Sequence, residues 1–218
     1  AQEKLDAHKI QPARHYYEEV LELDAENIDA LRALIQITRE QNDREANTRY
    51  SVRLASIFVQ VSALGDAIQC YRELVDFNPE PIEAWETLGT LLEQENRLDE
   101  SIEVRRHVAD HYEQAGDLFA ALENLRKMEA HRPEDLDTCR RLAALASRTG
   151  DSDAPERYQR LIGLAETLGN FEEAIRAAQT LCTLLAEDPA PYRKLAALYQ
   201  AQNQVEPAVQ ALATASSL

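Results

Sequence analysis

Two histidines, His107 and His111, have the spacing best suited to metal chemistry in this sequence. On a helix, residues four apart share one face, so both imidazoles could approach the same ion, with Glu103 one turn earlier. A metal would still need a third ligand from another helix, and the pair does not form a His-Glu-x-x-His motif. We interpret the two histidines as a solvated surface pair, and we predict no metal site and no cofactor.

Paired carboxylates are the second arrangement that could do chemistry, as a general acid and base. Four acidic residues cluster around Asn96: Glu93, Glu95, Asp99 and Glu100. They flank a predicted turn, where charged side chains are ordinarily solvated. The sequence also contains no glycine-rich phosphate loop and no Gly-x-Ser-x-Gly nucleophile motif. We therefore predict that the chain is not an enzyme.

The charge balance restricts the class of partner. The 218 residues include 23 basic and 39 acidic side chains, for a net charge of −16. An excess of negative charge repels nucleic acid and anionic membrane surfaces, and no apolar run approaches the ~20 residues of a membrane span. We predict a protein or peptide partner, with neither nucleic acid nor membrane as a ligand.

Low glycine and proline counts and scattered cysteines indicate the type of fold and the compartment. Six glycines and eight prolines are too few for the many hairpins of an all-β protein. Cys70, Cys139 and Cys182 are odd in number and far apart, which is typical of reduced core cysteines. We expect a helical, cytoplasmic protein.

Internal similarity organises the chain into repeats. Three segments share small, apolar and aromatic residues followed by a proline, which stands at Pro79, Pro133 and Pro189. Glycines at 116, 150 and 169 lie where helices must reverse, and Gly89 lies where two helices would pack closely. Gly65 lies at a helix entry, so only Gly163, which lies within a helical pattern, has no such explanation.

These residues resemble the tetratricopeptide repeat (TPR), a 34-residue helix-turn-helix. Trp85, Leu88 and Gly89 match its positions 4, 7 and 8 in a repeat that starts at 82. Gly116 and Ala121 match positions 15 and 20 of the next repeat. The resemblance implies a helical solenoid that binds other proteins.

The spacing of the repeats departs from an ordinary TPR array. Template starts fall at 28, 48, 82, 102, 136, 155 and 189, so full repeats alternate with single extra helices. The unit is thus a three-helix module of 54 or 53 residues. We predict an all-α solenoid of about 12 stacked antiparallel helices, forming a single domain over residues 1–218. Its approximate modules are 1–47, 48–101, 102–154 and 155–218.

Candidate partner-binding residues follow from the TPR resemblance, because ligands of that family lie against positions 2, 5, 9, 12 and 13 of first helices. The helix that starts at 82 carries an acidic strip there: Glu83, Glu86, Thr90 and Glu93. The helix that starts at 136 carries Arg140 and Arg148, and Arg105 belongs to the same arginine-rich middle of the chain. Residues 41–100 sum to −7, with five basic and twelve acidic side chains. This segregation favours a basic or mixed-charge partner.

The same positions argue against one known TPR ligand, the acidic tail of chaperones. Its carboxylate clamp uses lysine, asparagine and arginine. Arg32 and Gln36, followed by Glu83 and Glu86, do not reproduce that set.

The two ends of the sequence look incomplete. Residues 13–25 resemble the second helix of a repeat whose first helix is missing. Near the other end an apolar face has no later sequence to cover it: Val205, Ala208, Val209, Leu212 and Ala215. We expect a piece of a longer protein, or self-association through the terminal helices.

Three functions remain open. The first is a non-enzymatic scaffold or adaptor that binds a peptide segment or partner domain on the solenoid surface. The second is an oligomerisation element. The third is a regulatory or sensory part of a larger enzyme or signalling protein.

Overall fold

The protein is entirely α-helical over the residues that its computed structural model describes, which are 2–218, with side chains described from residue 10 onward. Twelve helices occupy that range: α1 Gln2–Leu23, α2 Ile28–Glu40, α3 Arg44–Gln60, α4 Leu64–Phe77, α5 Ile82–Gln94, α6 Leu98–Ala115, α7 Leu118–His131, α8 Leu136–Thr149, α9 Ala154–Thr167, α10 Phe171–Leu184, α11 Pro189–Ala201 and α12 Val205–Ser217. Short turns connect consecutive helices. The predicted all-α fold of about 12 helices is confirmed.

The chain divides into two compact units, one up to Val108 (unit 1) and one from Ala109 onward (unit 2). Helix α6 contributes residues to both. Whether the two units act as the single domain predicted from the sequence stays a prediction.

Unit 1 is built by helices that each pack on the next one along the chain, from α1 to α5. Its core is apolar and continuous, and includes Leu31, Leu34, Leu74 and Leu92, all fully buried. A polar seam joins α2 to α3, where the buried amide of Asn47 donates to the Ile35 carbonyl at 2.9 Å. The helices therefore stack through one apolar interior with specific polar bonds inside it.

Unit 2 repeats this arrangement from α7 to α12. Alanines dominate its core, because small side chains let neighbouring helices approach closely: Ala143, Ala165, Ala174, Ala178 and Ala196 are buried. Leu161 and Leu181 fill the remaining space. The predicted small residues of the repeat thus lie at helix contacts.

The turns explain the three-helix period. Seven turns in the described part of the chain have a residue with left-handed backbone: Asn42, Ser62, Asn96, Gly116, Gly150, Gly169 and Asn203. The other reversal in each module has Pro79, Pro133 or Pro189 within it or directly after it. Two left-handed turns followed by a proline turn therefore recur every 53 to 56 residues. A module is counted from one proline turn to the next, so that α2–α4 form the first module, α5–α7 the second and α8–α10 the third.

Two helices begin earlier than the predicted repeat starts. Helix α3 begins at Arg44 and α6 at Leu98, each four residues before the predicted starts at 48 and 102. The Asp43 carboxylate accepts the Ala46 N–H at 3.1 Å and so caps α3, a local signal that a 34-residue template does not contain. None of the helices in the described part of the chain is long and apolar enough to cross a membrane.

An ion pair joins α1 to the N-terminal end of α3, and a second one lies within α1. Arg14 on α1 bonds to Asp43 at 2.9 Å and to Glu18 at 3.1 Å. The pKa of Asp43 is lowered, chiefly by the backbone N–H of Ala46 and then by Arg14. Burial raises the pKa of Glu18, but hydrogen bonds from Arg14 and Tyr50 outweigh that effect, so its pKa is also lowered.

We predict that unit 1 loses stability as the pH falls below about 4. Carboxyl groups whose pKa is lower in the folded state stabilise it above the unfolded pKa, and that contribution disappears as pH falls through the folded pKa. Denaturant unfolding from pH 3 to 7 measures the slope. Asp43→Asn keeps an N-cap but removes the charge, so it should flatten the slope, and an unchanged slope would contradict the assignment.

Candidate partner-binding grooves

Three of the predicted partner-binding residues form an internal network between α5 and α6. Arg105 is only 2% exposed, and its Nε and Nη2 donate to the two carboxylate oxygens of Glu93 at 2.9 and 3.1 Å. Nη2 also donates to the Thr90 hydroxyl at 2.9 Å, and Ser101 donates to Glu93 at 3.0 Å. This network joins two helices, and it places the Arg105 guanidinium inside the protein and away from the surface.

Gly89 is the residue that makes room for this guanidinium. A Cβ at position 89 would lie 3.0 Å from the Arg105 Nε and 3.1 Å from its Cζ. The prediction that Gly89 marks close helix packing is confirmed, and the contact is with an arginine.

The effect of Gly89→Ala on the free energy of unfolding should therefore have opposite signs in the presence and absence of the Arg105 side chain. In the wild-type background we expect a loss of about 1 kcal/mol of unfolding free energy, because the clash with a pinned guanidinium exceeds the gain in helix propensity. In an Arg105→Ala background the clash is gone, and the same change should stabilise by up to about 1 kcal/mol. Urea unfolding of the four proteins measures both effects, and equal effects in the two backgrounds would refute the packing argument.

The four other predicted residues lie on or near the surface. Glu83, Arg140 and Arg148 are exposed, whereas Glu86 is half-buried. Glu83 and Glu86 share one face of α5, as the sequence predicted. Arg140 also lines a groove among α8, α9 and α10 of unit 2.

The unit 2 groove lies among α8, α9 and α10 and has a volume of about 470 Å³. Glu173, which is only 6% exposed, lies in it between two arginines. Its carboxylate accepts Arg140 Nε at 3.0 Å and Arg176 Nη2 at 2.7 Å. Tyr158 and Thr180 add hydroxyl groups. The groove therefore offers guanidinium and hydroxyl donors around one carboxylate whose negative charge is balanced by two arginines.

The unit 1 groove lies among α2, α3 and α4 and has a volume of about 250 Å³. Arg32 and Arg39 line it from α2, and Asp66 and Glu73 line it from α4. Its floor is formed by α3 and includes Phe58. The groove therefore combines charges of both signs with an apolar surface.

The two grooves occupy equivalent places in the three-helix module. The fifth residue of the first helix lines each one, Arg32 in α2 and Arg140 in α8. The third residue of the third helix also lines each one, as Asp66 in α4 and Glu173 in α10. A cavity made by the same positions twice is a feature of the repeat itself.

The two histidines do not come together with other metal ligands. The His107 ring stacks on Trp85, with centroids 4.1 Å apart, and the His111 ring meets Tyr112 edge to face. In the part of the chain with described side chains, no group of three or more His, Cys, Asp or Glu residues could hold a metal ion.

Cys70 is the cysteine that lines the unit 1 groove. Burial, and secondarily Glu73, raise its pKa to about 11. We predict slow alkylation by iodoacetamide at pH 7 to 8, because only the thiolate reacts. Mass spectrometry against a small-thiol standard measures the rate, and labelling of Cys70 as fast as that standard would contradict the raised pKa of this half-buried thiol.

Comparisons with known proteins find only distant similarity. No family model matches the chain, and none of the curated proteins matches it. Among solved structures, MamA from Desulfovibrio magneticus RS-1 covers 96% of this chain and 94% of its own at 16% identity, with a TM-score of 0.32. The "putative kinesin light chain nearly identical TPR-like repeats" of Podosopora anserina covers 78% and 93% at 15% identity, with a TM-score of 0.35. BtubC (BKLC) from P. vanneervenii covers 97% and 89% at 14% identity, with a TM-score of 0.36.

The neighbours include TPR-like repeat proteins. In TPR numbering from residue 82, Gly89 is position 8, Ser101 position 20 and Arg105 position 24. Position 24 of the TPR pattern is aromatic, so the buried Arg105 departs from that pattern. Similarity at this level concerns the fold alone.

Sequence reasoning missed five charged groove residues: Arg39, Asp66, Glu73, Glu173 and Arg176. Arg39 could have been predicted, because it is position 12 of the helix that starts at 28, just as Glu93 is position 12 of the helix that starts at 82. The other four lie on α4 and α10, the third helices of their modules. An ordinary two-helix TPR template assigns no ligand position to such helices.

Proposed function

We propose that this chain is a non-enzymatic protein-interaction scaffold that binds a peptide segment of a partner in its two grooves. The observation that carries the proposal is the equivalence of the grooves, which use the same helix positions in both units. Each groove has charged groups beside an apolar floor, the combination that fixes both affinity and register of a peptide. The three free thiols fit a reducing compartment, and we place the scaffold in the cytoplasm.

The binding mechanism is rigid display. Stacked helices hold the groove side chains in place, so a partner segment loses its own freedom while the protein loses little. In the unit 2 groove, Arg140 and Arg176 keep exposed guanidinium surface although both bond to Glu173. That surface can donate to a carboxylate or a backbone carbonyl of the segment.

A random 12-residue peptide display library, selected on the full chain, tests this function. We expect a peptide family whose binding is lost in Arg32→Gln/Arg39→Gln or in Arg140→Gln/Arg176→Gln, and kept in the controls Arg53→Gln and Arg193→Gln outside the grooves. Recovery of no peptide family, or binding that no groove variant weakens, would contradict the proposal.

The acidic face of α5 is proposed as an additional contact for a basic part of the same partner. Glu83 and Glu86 are its members, with Arg148 on α8 as a separate contact for an acidic part. Glu83→Gln/Glu86→Gln should weaken binding of a lysine-containing partner peptide and reduce its salt dependence. Unchanged affinity and salt dependence would remove α5 from the binding surface.

Self-association is a second candidate function, favoured by an apolar stripe on α12. Val205, Val209 and Leu212 are 71%, 59% and 40% exposed, while Ala208 and Ala215 of the same helix are buried. The apolar face predicted from the sequence is therefore divided, and its outer half is open to a second copy. Light scattering across concentration decides, since a strict monomer at high micromolar concentration excludes this function.

A further inference from the structure

The unit 1 groove has one basic and one acidic wall. On α2 the wall residues are Arg32, Gln36 and Arg39, and on α4 they are Asp66, Gln69 and Glu73. Each wall thus has a charged residue at both ends and a glutamine between them. The floor between the walls is formed by Ser51, Leu54 and Phe58 of α3.

The basic wall has donors that the protein does not satisfy. Among the residues with described side chains, neither Arg32 nor Arg39 forms an ion pair, although the chain is strongly acidic. The Arg39 Nε is buried and has no hydrogen-bond partner. Its Nη2 donates to the Glu73 backbone carbonyl at 3.1 Å. A buried donor without an acceptor is costly, so a ligand acceptor would gain more here than at a solvated arginine.

Aromatic rings hold both guanidinium groups in place. Arg32 lies over Phe58, with its Cζ 5.9 Å from the ring centroid, and Arg39 lies over Phe77 at 5.6 Å. Such contacts fix the planar groups without consuming their N–H donors. The basic wall is therefore already ordered for an anionic group.

In the next module, between α5 and α6, the equivalent space is filled by side chains of the protein itself. Arg105 and Glu93 stand 54 residues after Ser51 and Arg39, and they bond to each other inside the protein. Between α2 and α3 the small Ser51 leaves that space open, and Arg39 has no carboxylate there. This open position corresponds to the internal charge pair between α5 and α6.

We propose that the unit 1 groove binds an extended peptide segment that carries an acidic, an apolar and a basic residue within about three consecutive positions. The acidic side chain bonds to Arg32 or Arg39, the apolar one packs on Leu54 and Phe58, and the basic one meets Asp66 or Glu73. The inference rests on the peptide-binding function proposed above and names the ligand's chemistry.

Wall length and charge set the size and sign of this ligand. Seven residues separate Arg32 from Arg39, about 10 Å along a helix, and an extended chain advances about 3.3 Å per residue. Three residues therefore span the wall. A purely acidic segment would be repelled by Asp66 and Glu73, and a purely basic one by the two arginines, so a mixed-charge segment fits best.

A focused peptide library tests the inference on the full chain. Each peptide has a fixed central leucine and two randomised residues on either side. We expect enriched peptides to carry one acidic and one basic residue next to the leucine. Arg32→Gln/Arg39→Gln should weaken binding of an enriched peptide about tenfold and remove only the acidic preference. Asp66→Asn/Glu73→Gln should remove only the basic preference, and Arg53→Gln should change neither.

Each outcome separates this inference from the broader function. Enriched peptides that are purely acidic, purely apolar, or insensitive to both wall variants would overturn the mixed-charge ligand while peptide binding stands. Peptides whose binding depends only on Arg140 and Arg176 of unit 2 would also overturn the mixed-charge ligand of the unit 1 groove while peptide binding stands. Absence of any groove-dependent peptide from both libraries would overturn the function itself. Circular dichroism melts of the variants show that they are folded.

Discussion

Arg105→Ala is expected to destabilise unit 1 by about 3 kcal/mol, the largest effect that we expect of a polar substitution among the residues with described side chains. The change leaves a cavity between α5 and α6 and deprives Glu93 of its two bonds from the guanidinium. Breaking one half of a buried ion pair costs more than the pair itself contributes, because the remaining charge has lost its partner. Urea unfolding followed by circular dichroism measures the loss.

Two comparisons make this prediction specific. Arg106→Ala, at the next residue, removes an exposed arginine paired with Glu103 and should cost no more than about 0.5 kcal/mol. Arg105→Leu combined with Glu93→Gln removes both charges and should recover most of the stability lost in Arg105→Ala. If the two single arginine variants were equally stable, the buried network would not be the determinant of α5–α6 packing.

Leu181→Ala is expected to destabilise unit 2 by about 3 kcal/mol. Leu181 is only 2% exposed and belongs to the core cluster that joins α8 to α12. Deleting its side chain removes apolar burial and leaves a cavity among helices that alanines hold close together, so little relaxation can fill it.

Leu184→Ala is the matched control, since it makes the same substitution on the same helix. Leu184 is 37% exposed, so its truncation should cost about 1 kcal/mol or less. Chemical unfolding with a probe in unit 2 compares the two. Similar losses would mean that the alanine-rich helix contacts do not form a tightly packed core.

Much of the fold could be predicted because it depends on local signals. The prolines at 79, 133 and 189 and the glycines at 116, 150 and 169 mark helix ends through backbone chemistry alone. Turns at Asn42, Ser62, Asn96 and Asn203 use the same left-handed conformation as the glycines, with residues that give a weaker signal. This is why the helix starts at 82, 136 and 189, beside prolines, were predicted to the residue and those at 44 and 98, after Asn42 and Asn96, were displaced.

The candidate site was less predictable because it depends on which side chains find internal partners. Glu93 and Arg105 look like surface charges in the sequence, twelve residues apart, and only the packing of α5 on α6 brings them together. Arg39 occupies the position equivalent to Glu93, and Ser51 occupies the position equivalent to Arg105, so no carboxylate stands opposite the Arg39 guanidinium. The third helix of each module supplies half of each groove, and a two-helix template does not anticipate it.

The repeated grooves suggest how one chain could recognise a partner with two distinct segments. The unit 2 groove has its carboxylate already neutralised by Arg140 and Arg176. The unit 1 groove keeps its opposite charges on separate walls. Equivalent positions with different charges would give each unit its own selectivity on the same helical framework.

Backbone amide NMR of the 15N-labelled full chain tests the central claim most directly. Two capped pentapeptides, Ala-Glu-Leu-Lys-Ala and Ala-Lys-Leu-Glu-Ala, would be titrated to millimolar concentration, with Ala-Gln-Leu-Gln-Ala as the uncharged control. We predict that at least one charged peptide shifts the amides of α2, α3 and α4 around Arg39, Ser51 and Asp66, and that the control does not. Absence of shifts with either charged peptide, or shifts confined to helices outside the grooves, would contradict the account.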